Sequence, residues 1–217
     1  EISLATGGIL FLDEFPEFSR AALETLRQPL EEREVTVSRV EASVTYPANF
    51  QLVAAMNPCP CGHFPDRSRC RCTEGQITRY LQKVSGPMLD RIDICVEASP
   101  ITYGDIKSSG NNESSREIRA RVEQARKIQG ERFAGENIRC NGEMSGRHIR
   151  KFCWLGREEE KFMEEIFKKL ALSARMHDRI LKVARTTADL AEEEKIRLAD
   201  LCEAVSYVKS RDKFWGN

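Results

Sequence analysis

Long apolar runs and export signals are missing from this sequence. No stretch approaches the roughly eighteen apolar residues that a membrane-spanning helix needs. The N-terminus has no basic, apolar and small-residue series of the kind that directs secretion, and no internal repeat or low-complexity tract occurs. We therefore expect a globular, cytoplasmic protein without a membrane partner.

An excess of charge of one sign is absent as well. The 34 basic side chains equal the 34 acidic ones in number, so no overall field draws the chain to nucleic acid or to a membrane surface. Any basic binding site must be local. With 217 residues, of which 41% are hydrophobic, the chain can bury a core as one domain or as two small ones.

The first half of the sequence predicts an α/β domain over residues 1–109. The unbroken apolar run from Ile9 to Leu12 is typical of a parallel strand buried on both faces. Phe50 to Met56 predicts a second such strand, and Ile92 to Val96 predicts a shorter third one. Alternating apolar residues from Val35 to Tyr46 predict two short strands that form a protruding hairpin.

A helix is predicted between the first strand and the hairpin. Ser19 can cap this helix, and Leu23, Leu26 and Leu30 give it an apolar face that would cover one side of the sheet. Pro29 should kink the helix or end it early, because proline donates no backbone hydrogen bond and its ring clashes with the preceding turn.

The second half of the sequence predicts a helical bundle over residues 110–217. The boundary is expected near 110, because residues 108–112 are Ser, Ser, Gly, Asn and Asn. Ser114 and Glu117 can form a capping box at the start of the first helix. Apolar residues at helical spacing predict three further helices, around residues 162–170, 176–184 and 198–208.

Acidic and amide side chains stand where the first two predicted strands end. Asp13 and Glu14 follow the first strand, where an Asp can hold the magnesium ion of a bound nucleoside triphosphate and a Glu can polarise the attacking water. Asn57 ends the second strand and could orient that water. The plainer alternatives are a solvated acidic turn and a turn-forming asparagine before Pro58.

Two arginines could extend such a site. Arg91 precedes the third predicted strand and could reach a phosphate on a neighbouring subunit, or it could simply pair with Asp90 or Asp93. Arg175 opens a predicted helix and could contact nucleotide, although an exposed helical arginine often has no such role.

The order of these groups and the sequence around them carry a family resemblance. The matching stretches lie within residues 1–191: EISLATGGILFLDEFPEF, LRQPLEEREVTVSR, YPANFQLVAAMNPCPCG, VSGPMLDRIDI and SARMHDRILKVARTTADL. They resemble the magnesium-chelatase-related family of AAA+ ATPases, ComM type. The resemblance implies a partial AAA+ parallel sheet with an inserted hairpin, followed by an all-α helical lid domain.

The resemblance also implies an activity and its partners. It implies a hexamer of identical subunits that uses ATP and Mg²⁺ and moves DNA, with branch migration during DNA uptake and recombination. A chelatase-type ATPase that remodels a protein partner shares the same motifs. The roles carried over are Walker B for Asp13 and Glu14, sensor 1 for Asn57, arginine finger for Arg91 and sensor 2 for Arg175.

The phosphate-binding loop of this family is not found in the sequence. Such a loop ends in Gly-Lys followed by Ser or Thr, and no Gly-Lys dipeptide occurs in the 217 residues. The family's loop precedes Walker B, so we expect this chain, which begins at Glu1, to be the C-terminal part of a longer protein. By itself it should not bind or hydrolyse ATP usefully, because the triphosphate loses its main cradle.

Four of the eight cysteines fall close together. Cys59, Cys61, Cys70 and Cys72 form two C-x-C pairs separated by eight residues. Four thiolates around one tetrahedral Zn²⁺ would stabilise this loop, although the usual pair has two intervening residues rather than one. The alternatives are a reduced loop without metal, disulfides formed on oxidation, or His63 as a replacement ligand.

The same loop is locally basic. Between Asp66 and Lys83 there are five basic and two acidic residues, so DNA contacts are predicted for Arg67, Arg69 and Arg71, and for Arg39 at the hairpin tip. A solvated loop is the plainer alternative. A nonenzymatic, zinc-stabilised DNA-binding module is the third functional hypothesis for the isolated chain.

Overall fold

The computed structural model describes residues 1–38, 42–99, 101, 103, 107 and 113–215. Backbone contacts divide the chain into two compact units, one of residues 1–92 and 212–217 and one of residues 93–211. Arg39 at the predicted hairpin tip lies outside the described residues, and so does the predicted domain boundary near 110.

The first unit contains a small parallel sheet. Strand β1 (Ile9–Leu12) pairs with strand β4 (Gln51–Ala54), with Leu10 opposite Leu52. Both predicted strands are confirmed, and the chain is of mixed α/β class. Between them lie α1 (Arg20–Thr25), α2 (Arg27–Glu32), β2 (Glu34–Ser38) and β3 (Ser43–Pro47).

The predicted helix after Ser19 is interrupted, as expected, and becomes α1 and α2. The Ser19 hydroxyl oxygen accepts the backbone N–H of Ala22 at 3.2 Å and caps α1. Helix α1 ends at Thr25, four residues before Pro29. A proline ring clashes with the carbonyl four residues earlier, which explains why the break comes before the proline rather than at it.

The predicted hairpin is confirmed, and it is exposed. Strands β2 and β3 pair in antiparallel fashion from Glu34 and Pro47 to Ser38 and Ser43. Side-chain hydroxyls meet across it, at 3.0 Å between Thr36 and Thr45 and at 3.1 Å between Ser38 and Ser43. The hairpin therefore holds its register through backbone and hydroxyl pairing rather than through a buried face.

The prediction of a third strand at Ile92 to Val96 is wrong, because these residues form no regular structure. A strand needs a partner for its backbone N–H and C=O groups. Within the described residues, β1 and β4 pair only with each other. The apolar alternation of this segment therefore has no ladder to join, and the side chains of Ile94 and Val96 stay exposed.

The parallel sheet is covered on one face only, contrary to the expectation of strands buried on both faces. Leu10, Leu12 and Leu52 pack against a core of six buried residues: Phe15, Leu23, Leu26, Val84, Met88 and Leu89. On the opposite face Ile9 is 62% exposed and Phe11 is 58% exposed. Helix α4 (Gly86–Leu89) supplies Met88 and Leu89 to this core, whereas the buried residues of helix α3 (Glu74–Leu81) belong to a second cluster with Cys59 and Cys70.

The second unit is helical, as predicted. Its first helix begins with the expected capping box, in which Glu117 N donates to the Ser114 hydroxyl oxygen at 3.3 Å and Ser114 N donates to the Glu117 carboxylate at 2.7 Å. The helices are α5 (Ser115–Arg132), α6 (Gly146–Phe152), α7 (Arg157–Lys169), α8 (Ala174–Leu190) and α9 (Leu198–Trp215), whose last four residues belong to the first unit.

Helix α6 was not predicted from the sequence. None of the helices in the described part of the chain has the length and apolar character that crossing a bilayer requires.

A buried ionic network holds the second unit together. The Asp189 side chain is 0% exposed and accepts hydrogen bonds from Arg132, from Arg185 Nε at 3.1 Å and from Asn141 Nδ2 at 2.7 Å. Arg185 also donates to the carbonyl oxygens of residues 193 and 194, just after α8 ends. One carboxylate thus joins α5, α8 and the segment before α6, with every partner buried or half-buried.

We predict that Asp189→Ala lowers the free energy of unfolding by about 3–5 kcal/mol, because it leaves buried arginine charges without their counter-ion. The measurement is equilibrium urea unfolding. The matched control is Glu164→Ala, which removes an exposed i,i+4 pair with Lys168 and should cost about 0.5 kcal/mol or less. Equal losses in the two variants would contradict the assigned role of the network.

Candidate nucleotide and metal sites

The acidic turn after β1 is attached on both sides to the end of β4. Ala55 N donates to Leu12 O at 2.9 Å, and Phe15 N donates to Ala55 O at 3.0 Å. Asp13 and Glu14 lie between these two hydrogen bonds. Pairing of the strands therefore fixes where both carboxylates emerge.

Glu14 has an uncommon backbone conformation. Its φ of 51° and ψ of 43° place it in the left-handed region, which costs a residue other than glycine roughly 1 kcal/mol and recurs at functional sites. Glu14 O accepts Glu17 N at 2.7 Å, and the Asp13 carboxylate accepts Glu14 N at 2.9 Å. With Phe15 buried immediately behind it, the turn presents both acidic side chains to solvent.

Asn57 belongs to the same edge of the sheet. It lies two residues beyond Ala55, and the carboxyl ends of parallel strands meet at one edge. Its side chain lies against Gly62, since a Cβ atom on Gly62 would stand 3.6 Å from Asn57 Oδ1. The structure thus places the predicted sensor 1 residue at the strand edge that carries the predicted Walker B pair.

These side chains fit the chemistry of magnesium. Adjacent, exposed carboxylates are the hard oxygen ligands that Mg²⁺ takes while keeping several of its waters. The edge therefore offers the oxygen ligands that the acidic half of the predicted nucleotide site requires. The glycine-rich half, which would cradle the phosphates, has no counterpart among the residues of this sequence.

Arg91 is held inside the first unit. Its guanidinium pairs with Glu31 of α2 at 2.7 Å and also donates to Pro87 O, and the side chain is only 9% exposed. Its Nε is buried without a hydrogen-bond partner among the described residues. The ion pair that the sequence suggested with Asp90 or Asp93 is thus replaced by one with Glu31, which is distant in sequence.

Arg175 lines a cavity of about 320 Å³ in the second unit. Arg179 and Lys182 line it too, and Arg179 Nε pairs with Asp93 at 2.9 Å. Sequence reasoning missed these two residues. The signal was available, because residues 175, 179 and 182 are four and then three apart and so share one face of α8.

The four clustered cysteines converge on one point. Their Sγ atoms all lie within 4.8 Å of one another, and three of the separations are 3.4, 3.6 and 3.8 Å. Four sulfurs bound tetrahedrally to zinc at about 2.3 Å stand about 3.8 Å apart. The geometry therefore fits a single tetrahedral metal ion, bound by Cys59, Cys61, Cys70 and Cys72.

Backbone amides prepare this cluster for a cation. Phe64 N donates to Cys59 Sγ at 3.4 Å. Hydrogen bonds from the backbone of His63 and Arg71 lower the pKa of Cys61 to about 6, whereas burial raises the pKa of Cys72 to about 12. In the described residues His63 is exposed and is not among the converging ligand atoms, which favours an all-cysteine site.

The basic loop around the cluster contains three arginines that differ in their contacts. Arg67 is occupied, since it pairs with Glu74, donates to Cys72 O at 3.3 Å and lies over the Phe64 ring at 4.9 Å. Arg69 and Arg71 are exposed. Arg67 is exposed too, with 48% of its side chain accessible, so it differs from the other two in its ion pair rather than in its exposure.

An acidic edge beside a strand-terminal asparagine, with a helical unit after it, is an arrangement of the AAA+ type. Residues 1–106 match the family described as magnesium chelatase, subunit ChlI, and residues 112–208 match the C-terminal region of the same subunit. The chain belongs to the magnesium-chelatase-related family, ComM type.

Three relatives illustrate the similarity. Competence protein ComM of Haemophilus influenzae is 46% identical over 95% of this chain and 40% of its own length. The protein YifB of Salmonella typhimurium is 44% identical over the same shares. A protein of Mycobacterium tuberculosis is 38% identical over 95% of this chain and 41% of its own length. The chain thus spans about two fifths of the length of these relatives.

Proposed function

We propose that this chain is the Walker B and lid portion of an ATPase that couples ATP hydrolysis to movement of DNA. The observation that carries the proposal is the acidic turn, whose backbone is hydrogen-bonded on both sides to Ala55, two residues before Asn57. The match to a competence protein supports DNA as the substrate, with branch migration during uptake and recombination as the activity.

Each residue of the edge receives a role from its chemistry. Asp13 holds Mg²⁺, and Glu14 takes a proton from the attacking water. Asn57 orients that water through its amide. The left-handed turn at Glu14 directs the carboxylate away from the buried core and toward solvent. On that side a water next to a γ-phosphate can reach it.

The arginines act on the phosphates of a hexameric ring. Arg175 contacts nucleotide together with Arg179 and Lys182, three basic side chains against the two carboxylates of Asp93 and Asp178 that line the same cavity. Arg91 acts on nucleotide held by the neighbouring subunit. To do so it exchanges the carboxylate of Glu31 for a phosphate, which is the stronger partner for a guanidinium fork.

DNA contacts are proposed for the exposed basic residues and the exposed hairpin. Arg69 and Arg71 offer their charges to a phosphate backbone, and β2 and β3 project side chains that a ring could place at its pore. Arg39, which the sequence predicts at the hairpin tip, would add a further charge. Arg67 contributes less than the sequence suggested, because its charge is already paired with Glu74.

A second candidate function is a chelatase-type ATPase that remodels a protein. Two observations favour it: Arg67 is already paired with Glu74, and the net charge of the chain is zero. A protein partner needs no basic track. A nonenzymatic DNA-binding module is the third candidate and would describe the isolated chain, which has no Gly-Lys dipeptide and is proposed to be inactive as an ATPase.

We also propose that the cysteine cluster binds one Zn²⁺ as a closed structural site. The donor set is soft, the geometry is tetrahedral, and four protein ligands leave no open position for substrate.

We predict that ATP turnover by the full-length protein is stimulated by single-stranded or branched DNA and is abolished by Glu14→Gln. Loss of the base should lower turnover by about 10²–10⁴-fold while ATP still binds. The measurement is steady-state phosphate release with and without DNA. The control is Glu17→Gln, which alters an acidic residue of the same turn that pairs with Lys83. Turnover indifferent to DNA would favour the protein-remodelling function.

We predict that Arg91→Ala lowers turnover by about 10³-fold and that mixing it with Glu14→Gln restores activity. In a mixed ring, a wild-type Walker B can face a wild-type arginine at about a quarter of the interfaces. Glu31→Gln is the control for disturbance of the buried pair and should remain active. A mixture no more active than its components would refute action on the neighbouring subunit.

We predict about one zinc per chain in protein purified without chelator, measured by elemental mass spectrometry. Cys70→Ser should abolish metal binding, since it removes one of four ligands. Cys202→Ser, a change at an exposed cysteine of α9, should leave the stoichiometry unchanged. Metal-free wild-type protein would disprove the zinc assignment.

A further inference from the structure

Asn57 lies on a short segment that is fixed at both ends. On one side, Met56 packs against both apolar clusters of the first unit. On the other side, only Pro58 separates it from Cys59, which is fully buried in the second of these clusters. The cysteine loop thus begins where the proposed water-orienting residue ends, and the position of one constrains the other.

The Asn57 side chain rests on the turn that carries the first two cysteines. Gly62 N donates to Cys59 O at 3.0 Å, which closes the turn, and Gly62 has a φ of +77° that suits glycine. A Cβ built on Gly62 would stand 3.6 Å from Asn57 Oδ1, which is an ordinary van der Waals distance, so the Asn57 amide lies beside this turn. Ligation of Cys59 and Cys61 by one ion would therefore fix the surface against which Asn57 lies.

Tyr80 links the cysteine cluster to the acidic edge. Its side chain is 6% exposed and packs in the same cluster as Cys59 and Cys70. Burial raises the pKa of Tyr80, and the nearby charges of Glu17, Cys59 and Glu14 raise it further, while the backbone N–H of Asn57 acts in the opposite direction. By geometry, the Tyr80 ring packs with Cys59 and Cys70, and Lys83 Nζ lies 5.4 Å from its centre while pairing with Glu17 of the acidic turn at 3.1 Å.

We propose that the metal-bound cysteine loop positions Asn57 against the acidic edge, with Gly62 and Tyr80 as the positioning residues. This inference rests on the proposed ATPase function. In the absence of metal, the cysteine loop loses the ion that would join its two C-x-C pairs and depends on few apolar side chains. The Asn57 amide would then lose its fixed support, and misplacement of a water-orienting group by about 1 Å can cost about 10²-fold in rate.

The first test needs no ATPase activity and uses this chain with its metal. Amide hydrogen exchange is measured before and after removal of zinc by a chelator. We expect exchange at Phe15 and Ala55 to accelerate by about tenfold or more, because the hydrogen bonds of these two amides join the acidic turn to the end of β4. Residues of α8, in the second unit, serve as the internal control. Unchanged exchange at Phe15 and Ala55 after complete metal loss would overturn the inference.

The second test is a double-mutant cycle in the full-length protein. Cys70→Ser should lower kcat by about 10–100-fold with the KM for ATP unchanged, and it should add little when Asn57 is already alanine. Independent, multiplying effects would mean that the cluster supports the fold without acting through Asn57.

Tyr80→Phe keeps the tests decisive if Cys70→Ser fails to fold. It retains the ring and the metal ligands, and it should lower kcat with the same lack of additivity toward Asn57→Ala. Tyr207→Phe, which removes a hydroxyl bonded to Glu203 in α9, is the matched control. Full activity of Tyr80→Phe would remove Tyr80 from the proposal.

A full-length protein without any ATP turnover would instead refute the proposed function, and hydrogen exchange would still decide whether the metal positions Asn57.

Discussion

The pairing of β1 with β4 is the constraint on which the candidate site depends. Two backbone hydrogen bonds bracket Asp13 and Glu14, one donated by Ala55 N to Leu12 O and one accepted by Ala55 O from Phe15 N, so the acidic turn cannot move without breaking the end of the sheet. Parallel pairing also brings the residue after β4 to the same edge. The chemistry of that edge is therefore a consequence of backbone geometry. The left-handed conformation of Glu14 is tolerated because the hydrogen bonds with Ala55 on both sides of the turn leave it little freedom.

The two units reach stability by different means. The second unit has a large apolar core and a buried network centred on Asp189, whose carboxylate is matched by arginine and amide donors. The first unit divides its apolar residues between two smaller clusters, one of which contains Cys59 and Cys70. Small cores commonly need a metal or a disulfide in addition to apolar burial. A metal at the cysteine cluster would meet that need at the place where Asn57 requires support.

Local signals in the sequence predicted much of this fold. The apolar run of β1, the hairpin alternation and the capping box at Ser114 each depend on neighbours within a few residues, and each is confirmed. Features that depend on distant residues were missed. The segment Ile92 to Val96 has the composition of a strand but no partner in the described sheet, and the pairing of Arg91 with Glu31 joins residues sixty positions apart. The converging cysteines were predictable because their spacing is itself local, whereas the contact between Gly62 and Asn57 depends on how the turn folds back.

If Arg91 is the arginine finger that we propose, its pair with Glu31 would make its action depend on assembly. A guanidinium that is 9% exposed and bonded to a carboxylate has already lost most of its water, so leaving that partner for solvent would break a charge-assisted bond. If the Arg91 guanidinium moves to a phosphate, the Glu31 carboxylate is replaced by an anion of higher charge. The new bond then offsets the free energy lost with the old pair in the same step. Because Glu31 is half-exposed, it can regain water once Arg91 leaves it. The pair would therefore open when a neighbouring subunit offers nucleotide and would stay closed otherwise, which links the position of Arg91 to the occupancy of the adjacent site.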